Sequence, residues 1–230
     1  MKNLVDEKPT DPLKGRLLQT VKLVRDKDIK NKIVLDVGCG YGWFEYNALS
    51  RGVKRICGIE ITKNDLKTIQ KNLVDKRFES KVGSAIRVPY ADNTFDTVVS
   101  WEVIEHIPKN TENKMFLEIY RVLKKGGIFY LSTPYDHLVS KFLDPAWWLI
   151  GHRHYSKDRL SVYAQKNGFV VEEIMPIGRW WRIASALNMY FSKWVLRRKP
   201  VFQNFFDLMD KKEIDKKNGY ANVFARFRKI

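Results

Sequence analysis

The segment VLDVGCGYG, at positions 34–42, constrains the fold of this 230-residue chain more than any other feature. An apolar run over Ile33–Val37 predicts a buried strand, after which glycine occupies every second position, at Gly38, Gly40 and Gly42. Glycine has no Cβ, so it adopts positive φ angles and lets backbone N–H groups approach a bound molecule closely. We therefore expect a strand that ends in a turn shaped to bind a ligand.

Acidic residues near this turn indicate what kind of ligand it binds. A second apolar run, Arg55–Glu60, ends in a carboxylate that can accept hydrogen bonds from both ribose hydroxyls of an adenosine. The glycine spacing is G-x-G-x-G, whereas dinucleotide sites use G-x-G-x-x-G, and the sequence has no G-x-x-x-x-G-K-[ST] phosphate loop. Asp36 would repel a pyrophosphate and attract an amino group. The pattern therefore favours a cationic nucleoside.

Strand and helix patterns alternate along the chain, which predicts a parallel sheet with helices on both faces. The predicted strands are Ile33–Val37, Arg55–Glu60, Lys81–Ala85, Thr94–Ser100, Ile128–Ser132, Phe169–Ile174 and Ala221–Arg228. The predicted helices lie within residues 11–30, from Trp43 onward, and over Lys63–Val74, Glu112–Leu123 and Lys157–Lys166. Ligands of such sheets bind beyond the carboxyl ends of the strands, which is where the glycine turn and Glu60 are expected.

Further motifs accompany the glycine turn. They are Glu60 with Ile61, the segment Gly83–Ala85, the run Phe95–Ile107, the segment Arg121–Gly127, and the HYS and NGF segments that begin at His154 and Asn167. With these motifs the chain, from about Lys32 to about Ile174 and again near its C-terminus, resembles the class I S-adenosylmethionine-dependent methyltransferases, especially the group that includes ubiquinone-pathway and other small-molecule enzymes. The resemblance implies an α/β, Rossmann-like, seven-stranded and mostly parallel sheet with an antiparallel C-terminal hairpin strand.

The resemblance also implies an enzyme with S-adenosylmethionine as its cofactor. The cofactor-binding residues that it implies are Asp36, Gly38, Cys39, Gly40, Gly42, Glu60, Ile61, Ser84, Ala85, Ser100 and Trp101. The chain departs from the family at Ser84, where an acidic residue usually contacts the adenine amino group. A serine hydroxyl can accept the same hydrogen bond, but more weakly.

We interpret the chain as a single methyltransferase domain. Its parts are an N-terminal helical segment (1–31), a core (32–174), a basic and aromatic insertion (176–218) and a last strand (219–230). The insertion is rich in aromatic residues, so we expect it to be folded. Trp180, Ala184, Leu187, Phe191 and Trp194 share one helical face, with basic residues at 197–199. This stripe lies in a membrane interface, packs on the sheet, or forms a cap over the active site.

The net charge of +16, of which Pro176–Ile230 carries +9, favours an anionic partner, either a membrane surface or RNA. A generally lysine-rich composition is the alternative explanation. The two cysteines, Cys39 and Cys57, are too few for a disulfide framework, and we see neither a signal peptide nor an apolar run of 18 residues. We expect a cytoplasmic protein, peripheral to a membrane if the stripe lies there, with no obligate protein partner.

The motif E-x-x-E-H places Glu102, Glu105 and His106 on one face of a predicted helical turn. These residues could bind Mg²⁺ or Mn²⁺, with His152 or His154 completing the set, and the arrangement resembles metal-assisted ubiquinone-pathway and small-RNA 2′-O-methyltransferases. Alternatively His106 or His154 is a general base, or the motif only braces a loop. The catalytic candidates are therefore Glu105, His106, His152 and His154.

The segment GHRHYS, at 151–156, is the second dense group of polar residues. Arg153 could bind a phosphate or carboxylate of the substrate. Alternatively the segment is a helix entry that Ser156 caps and Tyr155 packs against. The predicted substrate contacts are Arg153, Tyr155, Trp180 and Trp181.

We therefore expect methyl transfer to an oxygen or nitrogen of a small molecule, and we favour a lipid, a quinone precursor or a lipid-linked sugar. An RNA methyltransferase is the alternative enzyme, because basic and aromatic side chains can bind and stack on RNA. A cofactor-binding scaffold without catalysis, at a membrane or on nucleic acid, is the alternative outside enzymes.

Overall fold

The computed structural model describes residues 8–9, 13–213, 216 and 218–230. Its centre is a seven-stranded sheet with the order β3-β2-β1-β4-β5-β7-β6. The strands are β1 (Ile33–Val37), β2 (Arg55–Glu60), β3 (Phe78–Val82), β4 (Phe95–Trp101), β5 (Leu123–Pro134), β6 (Phe169–Ile177) and β7 (Asn222–Lys229). The helices are α1 (Gly15–Leu23), α2 (Trp43–Ser50), α3 (Lys63–Asn72), α4 (Glu112–Val122), α5 (Leu138–Leu143), α6 (Pro145–Ile150), α7 (Lys157–Lys166), α8 (Trp180–Trp194) and α9 (Gln203–Glu213).

The pairing of the strands confirms the predicted α/β fold. Strands β1 to β5 run parallel, and β7 lies antiparallel between β5 and β6. The order reverses between β1 and β4, and the crevice at such a reversal is where open α/β sheets bind ligands. The glycine turn after β1 and the E-x-x-E-H motif after β4 therefore meet at one edge of the sheet.

The sheet is buried on both faces because alternate residues of each strand enter different cores. Leu35 of β1 and Phe129 of β5 join the core beneath α4 and α7, while Val34 and Tyr130 join the core beneath α1 and α2. Buried Arg226 of β7 donates to the Tyr130 hydroxyl (3.0 Å) and thereby ties the last strand to the second core.

Several sequence-based predictions of the elements were wrong. Strand β3 covers Phe78–Val82, whereas the sequence predicted Lys81–Ala85. Its pairing with β2 begins at Phe78, and a tight turn at Ser84 and Arg87 follows the strand. The N-terminal helix ends at Leu23 and a 3-10 turn follows at residues 26–28; residues 11 and 12 of the predicted helix lie outside the described chain. Two short helices, α5 and α6, occupy residues where no helix was predicted.

The insertion consists of helices α8 and α9, which pack against each other and against α1. Arg182 of α8 is buried at their junction and donates to Asp210 of α9 (2.9 Å) and to Gln19 of α1 (3.0 Å). A buried charge needs such partners, because water no longer solvates it. Within the described ranges, none of the helices combines the length and apolarity that crossing a bilayer requires.

Candidate active site

The glycine turn has the conformation that its sequence predicted. Gly38, Gly40 and Gly42 have φ angles of 84°, 54° and 91°, a region that favours glycine. A Cβ on Gly38 would lie 2.5 Å from Cγ2 of Val103, so the turn packs closely against the loop after β4. A Cβ on Gly40 would have no neighbour within 4 Å, so this glycine borders open space. The open side of the turn at Gly40 is where a ligand can approach the backbone.

Glu60 lies beside the turn, as expected of a ribose-binding carboxylate. Its Oε1 accepts a hydrogen bond from the Gly40 N–H (2.7 Å). Burial raises the pKa of Glu60, while the N–H groups of Gly40 and Ile61 partly offset that rise. Ile61 follows with its side chain exposed, and Ser84, in the turn after β3, accepts from the Ile86 N–H (3.3 Å). An adenosine would thus meet a fixed carboxylate, an apolar side chain and a hydroxyl.

The structure adds Glu45, a residue that sequence analysis missed, to this region. Glu45 lies in the first turn of α2 and is fully buried, as is Asp36 at the end of β1. Burial raises the pKa of Asp36 well above its usual range, and the charge of Glu60 raises it further. Burial also raises the pKa of Glu45 well above its usual range, and the charge of Asp36 adds to that rise. These carboxyl groups occupy the helix start where a dinucleotide site would bind phosphate, so a pyrophosphate is disfavoured.

The buried pair makes a prediction about pH. A carboxyl whose pKa is raised by folding holds its proton more tightly in the folded state, so stability falls as pH rises above about 4.5 toward the raised value. The slope approaches about 1.4 kcal/mol per pH unit for each such proton. Glu45→Gln, which keeps the neutral shape, should flatten this decline in urea unfolding measured between about pH 6 and pH 9. Glu173→Gln, which changes a half-buried carboxylate of β6 that pairs with Arg25, is the control. A Glu45→Gln profile that parallels the wild type would contradict a raised pKa at Glu45.

Ser100 and Trp101 end β4 with buried side chains. The Ser100 hydroxyl and the Trp101 indole N–H have no hydrogen-bond partner among the described residues. The Trp101 ring stacks on Phe224 (6.2 Å, 12° between the planes) and contacts Phe44. Cys39 and Ala85 are buried as well, so these four predicted residues would meet a cofactor chiefly through their backbone.

Beyond β4, Glu105, His106 and His152 come together. One carboxylate oxygen and two ring nitrogens of this trio lie within 4.8 Å of one another. Burial raises the pKa of Glu105 well above its usual range, with Glu102 adding to the rise, and its second oxygen accepts from the Thr133 hydroxyl (2.9 Å). Burial and the neighbouring His152 lower the pKa of His106, so its ring is neutral at pH 7. This donor set can bind a cation or accept a proton.

Asp144, at the start of α6, orients two of the histidines. One of its oxygens lies 2.9 Å from Nδ1 of His152 and 2.9 Å from Nε2 of His154. Burial alone would raise the pKa of Asp144, but the two imidazoles hold it well below its usual range. Nδ1 of His154 lies 3.0 Å from the Tyr135 carbonyl, so both of its ring nitrogens have oxygen partners within the fold. His154 is therefore buried and holds Asp144 in place. The imidazole of His152 faces Glu105, with Nε2 3.9 Å from Oε1.

Glu102 does not share a face with Glu105 and His106, contrary to the helical turn that we predicted. Its φ is +57°, which turns the chain away from a helix. Its carboxylate accepts from the Ser132 hydroxyl (2.7 Å) and the Asn222 amide (2.9 Å), and pairs with Arg16 of α1 (3.1 Å). Glu102 thus connects α1 to the carboxyl edge of the sheet, apart from the trio.

The comparisons with known proteins agree with this geometry. A family model described as a methyltransferase domain matches residues 35–131, from β1 to β5. Residues 35–131 therefore form a class I S-adenosylmethionine-dependent methyltransferase domain. The sterol 24-C-methyltransferase of Kluyveromyces lactis is 35% identical over 109 residues, which are 44% of this chain and 28% of that protein.

One further relative and one solved structure cover more of this chain. The mitochondrial ubiquinone biosynthesis O-methyltransferase of Mus musculus is 26% identical over 196 residues, which are 75% of this chain and 52% of that protein. A geranyl diphosphate methyltransferase, solved in complex with S-adenosylmethionine, has the same fold (TM-score 0.66, 14% identity, 93% of this chain and 85% of that one). The chain thus spans about half, or less, of the length of the sterol and ubiquinone-pathway methyltransferases.

In this methyltransferase domain, S-adenosylmethionine fits the glycine turn better than a dinucleotide does. Carboxyl groups surround the turn, and Gly40 leaves room for a ligand. Among the described residues, no lysine or arginine side chain is hydrogen-bonded to the backbone of the turn. A sulfonium nucleoside with an amino group suits such a region, whereas a pyrophosphate needs positive charge. Glu60 and the backbone of the turn would hold the cofactor.

Two predicted substrate residues instead have structural contacts. Arg153 donates to the carbonyls of Ile104 (2.8 Å), Glu105 (3.1 Å) and Ile107, and pairs with Glu112 (3.0 Å). Fully buried Tyr155 donates to the same Glu112 (3.0 Å). With its donors occupied, Arg153 holds the E-x-x-E-H loop in place rather than reaching for a substrate.

The two tryptophans predicted to contact substrate point elsewhere. Trp181 packs against Phe205 and Phe206 of α9, and so joins the insertion helices. Trp180 is exposed on the outer side of α8. The α8 residue associated with the site is Tyr190, whose pKa is raised to about 12 by burial and then by Asp144. Tyr190 could not be selected from sequence, because its inward direction depends on how α8 docks.

Proposed function

We propose that this methyltransferase transfers the methyl group of S-adenosylmethionine to an oxygen or nitrogen of a small, lipid-like acceptor. The observation that carries the proposal is the trio Glu105, His106 and His152 at the same sheet edge as the glycine turn. An acceptor oxygen or nitrogen must lose a proton as it attacks, and a positioned imidazole is suited to receive it. Tyr190 of α8 lies near Asp144 and Glu105, so an aromatic side chain borders this trio.

The reaction is an in-line displacement at an activated methyl group, so the protein mainly aligns the two reactants. Glu60 would fix the nucleoside, and the turn at Gly38 and Gly40 would hold the amino-acid end against β4. His106, neutral at pH 7, and His152, oriented by Asp144, can accept the acceptor's proton. The Arg153 contacts hold the Glu105 and Ile107 carbonyls, which keeps this loop ordered.

The trio also fits a divalent metal, which would lower the pKa of an acceptor hydroxyl. Two imidazoles and one carboxylate favour Mn²⁺ over Mg²⁺, because Mg²⁺ prefers oxygen ligands. Glu102 is not part of this set, since Ser132, Asn222 and Arg16 occupy its oxygens.

We predict that His152→Ala weakens Mn²⁺ binding at least tenfold, because it removes one of the three ligands and the loss of a group that only orients a ligand already costs about 10- to 100-fold. Glu102→Gln is the matched variant: it lies in the motif but outside the trio, and it should bind Mn²⁺ nearly as the wild type does. Calorimetry with MnCl₂ measures both. Full methyl-transfer activity of chelator-treated protein without added metal would remove the metal from the proposal and leave the imidazoles as proton acceptors.

A lipid-like acceptor is supported by the relatives and by the insertion. The relatives include a sterol and a ubiquinone-pathway methyltransferase, and the geranyl diphosphate enzyme shares the fold. Helix α8 brings Tyr190 toward the trio and turns aromatic side chains outward. The proposed setting is the cytoplasmic surface of an anionic membrane, with the protein bound peripherally.

RNA is the second candidate acceptor, favoured by the charge of +9 in Pro176–Ile230 and by exposed aromatic side chains. RNA binding would weaken steeply with salt. A scaffold that binds the cofactor without turnover is the third candidate.

One experiment separates the three. Protein incubated with tritiated S-adenosylmethionine and fractionated lipid, RNA and protein extracts should label the lipid fraction. Label in RNA would support the second candidate, and cofactor binding with no labelled fraction would support the scaffold.

A further inference from the structure

A continuous part of the surface carries large apolar side chains that nothing covers in the described chain. Helix α5 packs against both α6 and α8, so their outer sides adjoin. We define the aromatic face by the exposed side chains Phe142, Trp148, Leu149, Phe191, Trp194 and Val195. Phe142, Trp148 and Phe191 are 72%, 59% and 54% exposed. Exposed apolar patches of this kind mark interaction sites, because water solvates them poorly.

The orientation of α8 creates this face. The helix buries Arg182, Ile183 and Ser192 against the rest of the protein. The stripe of Phe191 and Trp194 therefore faces outward, so it does not serve as packing against the sheet. Of the interpretations of this stripe, packing on the sheet does not fit the exposure of Phe191 and Trp194.

The charge beside the aromatic face indicates what binds there. From Trp180 to Val201 the sequence has no acidic residue, and Arg197 and Arg198 are exposed directly after α8. Trp148 donates its indole N–H to the Phe142 carbonyl (3.1 Å), which fixes one ring against the other. Aromatic side chains beside exposed arginines are typical of surfaces that lie in the head-group region of a bilayer.

A second copy of the chain suits this surface less well. Two such faces would bring the arginines of both copies together without acidic residues to pair with them, and like charges in an apolar contact repel. An anionic bilayer instead supplies both an apolar interior and negative head groups. Charge complementarity therefore favours the bilayer.

We propose that the aromatic face docks this protein on an anionic lipid bilayer. Tyr190 contacts Trp194 of this face (4.8 Å between ring centroids) and lies near Asp144, so it would connect the docked face to the acceptor trio. The acceptor could then pass from the bilayer to the trio without crossing water. This last step rests on the proposed function, whereas docking itself does not.

Vesicle sedimentation tests the docking. The full chain should pellet with phosphatidylcholine vesicles that contain phosphatidylglycerol and bind pure phosphatidylcholine vesicles at least about tenfold more weakly. The triple variant Phe142→Ser, Trp148→Ser, Phe191→Ser should lose at least about tenfold in partition to the anionic vesicles, because it removes most of the insertable area. The double variant Leu117→Ser, Val162→Ser removes similarly exposed side chains (58% and 59%) from α4 and α7 and should bind as the wild type does.

Three results would overturn the docking proposal: equal pelleting of wild type and triple variant, no pelleting at all, or dimerisation of the wild type that the triple variant abolishes. RNA that binds the wild type but not the triple variant, and that displaces the wild type from vesicles, would also assign the face to RNA. Circular dichroism and calorimetric titration with S-adenosylhomocysteine check that each variant is folded and binds cofactor. A protein that docks but labels no lipid would retain the docking and refute the proposed acceptor.

Discussion

Replacing Glu60 by alanine should weaken the binding of S-adenosylmethionine about 100-fold or more. The variant removes a carboxylate that would accept two ribose hydroxyls, and hydrogen bonds to a charged group contribute about 1.5 to 3 kcal/mol each. It also removes the acceptor of the Gly40 N–H (2.7 Å), so the turn loses the contact that holds it toward the ligand. Equilibrium dialysis with radiolabelled cofactor measures the loss.

Glu79→Gln is the matched control for this variant. Glu79 lies on the neighbouring strand β3, paired with Cys57, and its carboxylate contacts the Cys57 thiol rather than the glycine turn. We expect this variant to bind S-adenosylmethionine as the wild type does. If Glu60→Ala and Glu79→Gln bound the cofactor equally well, the ribose would not lie at Glu60.

Replacing Arg153 by methionine should lower the free energy of unfolding by about 3 to 5 kcal/mol, the range found when one partner of a buried ion pair is removed. The change leaves the buried Glu112 carboxylate without its main cation and leaves the Ile104, Glu105 and Ile107 carbonyls without their donor. Urea unfolding followed by circular dichroism measures the difference.

Arg159→Met provides the comparison, because Arg159 reaches the same Glu112 at 3.6 Å but is half exposed. Exposed ion pairs contribute about 0 to 1 kcal/mol, so this variant should unfold nearly as the wild type does. A stable Arg153→Met protein that had lost only its affinity for acceptor would restore Arg153 as a substrate residue.

The ligand-binding edge of the sheet could be predicted from sequence because backbone conformation there depends on local residues. Positive φ angles at Gly38 and Gly40 need glycine, and the apolar runs before Gly38 and up to Glu60 formed β1 and β2 with the predicted bounds. The boundaries of β3 were wrong because this edge strand has no fully buried residue and carries the polar residues Glu79 and Lys81, so its apolar pattern is weak.

The acceptor side could be predicted only in part, since its contacts join segments distant in sequence. The motif correctly drew attention to Glu105 and His106, but the third member, His152, reaches them because Asp144 orients its ring. Glu102 leaves the group because its backbone adopts φ +57°, which periodicity cannot reveal in a non-glycine residue.

Buried polar residues were the hardest to assign. Arg153 and His154 carry groups that chemistry associates with substrates and catalysis, yet each is saturated by partners within the fold. Glu45 was overlooked because a glutamate in the first turn of a helix usually stabilises it from the surface. A clue was available, since Glu45 lies directly after Phe44 on a helix with few polar residues.

Isothermal calorimetry with S-adenosylhomocysteine, the demethylated product of the cofactor, tests most directly whether the glycine turn binds this nucleoside. We predict saturable heat with one molecule bound per wild-type chain and none for Glu60→Ala under the same conditions. Folded wild-type protein that gave no heat with S-adenosylhomocysteine or with S-adenosylmethionine would contradict the account.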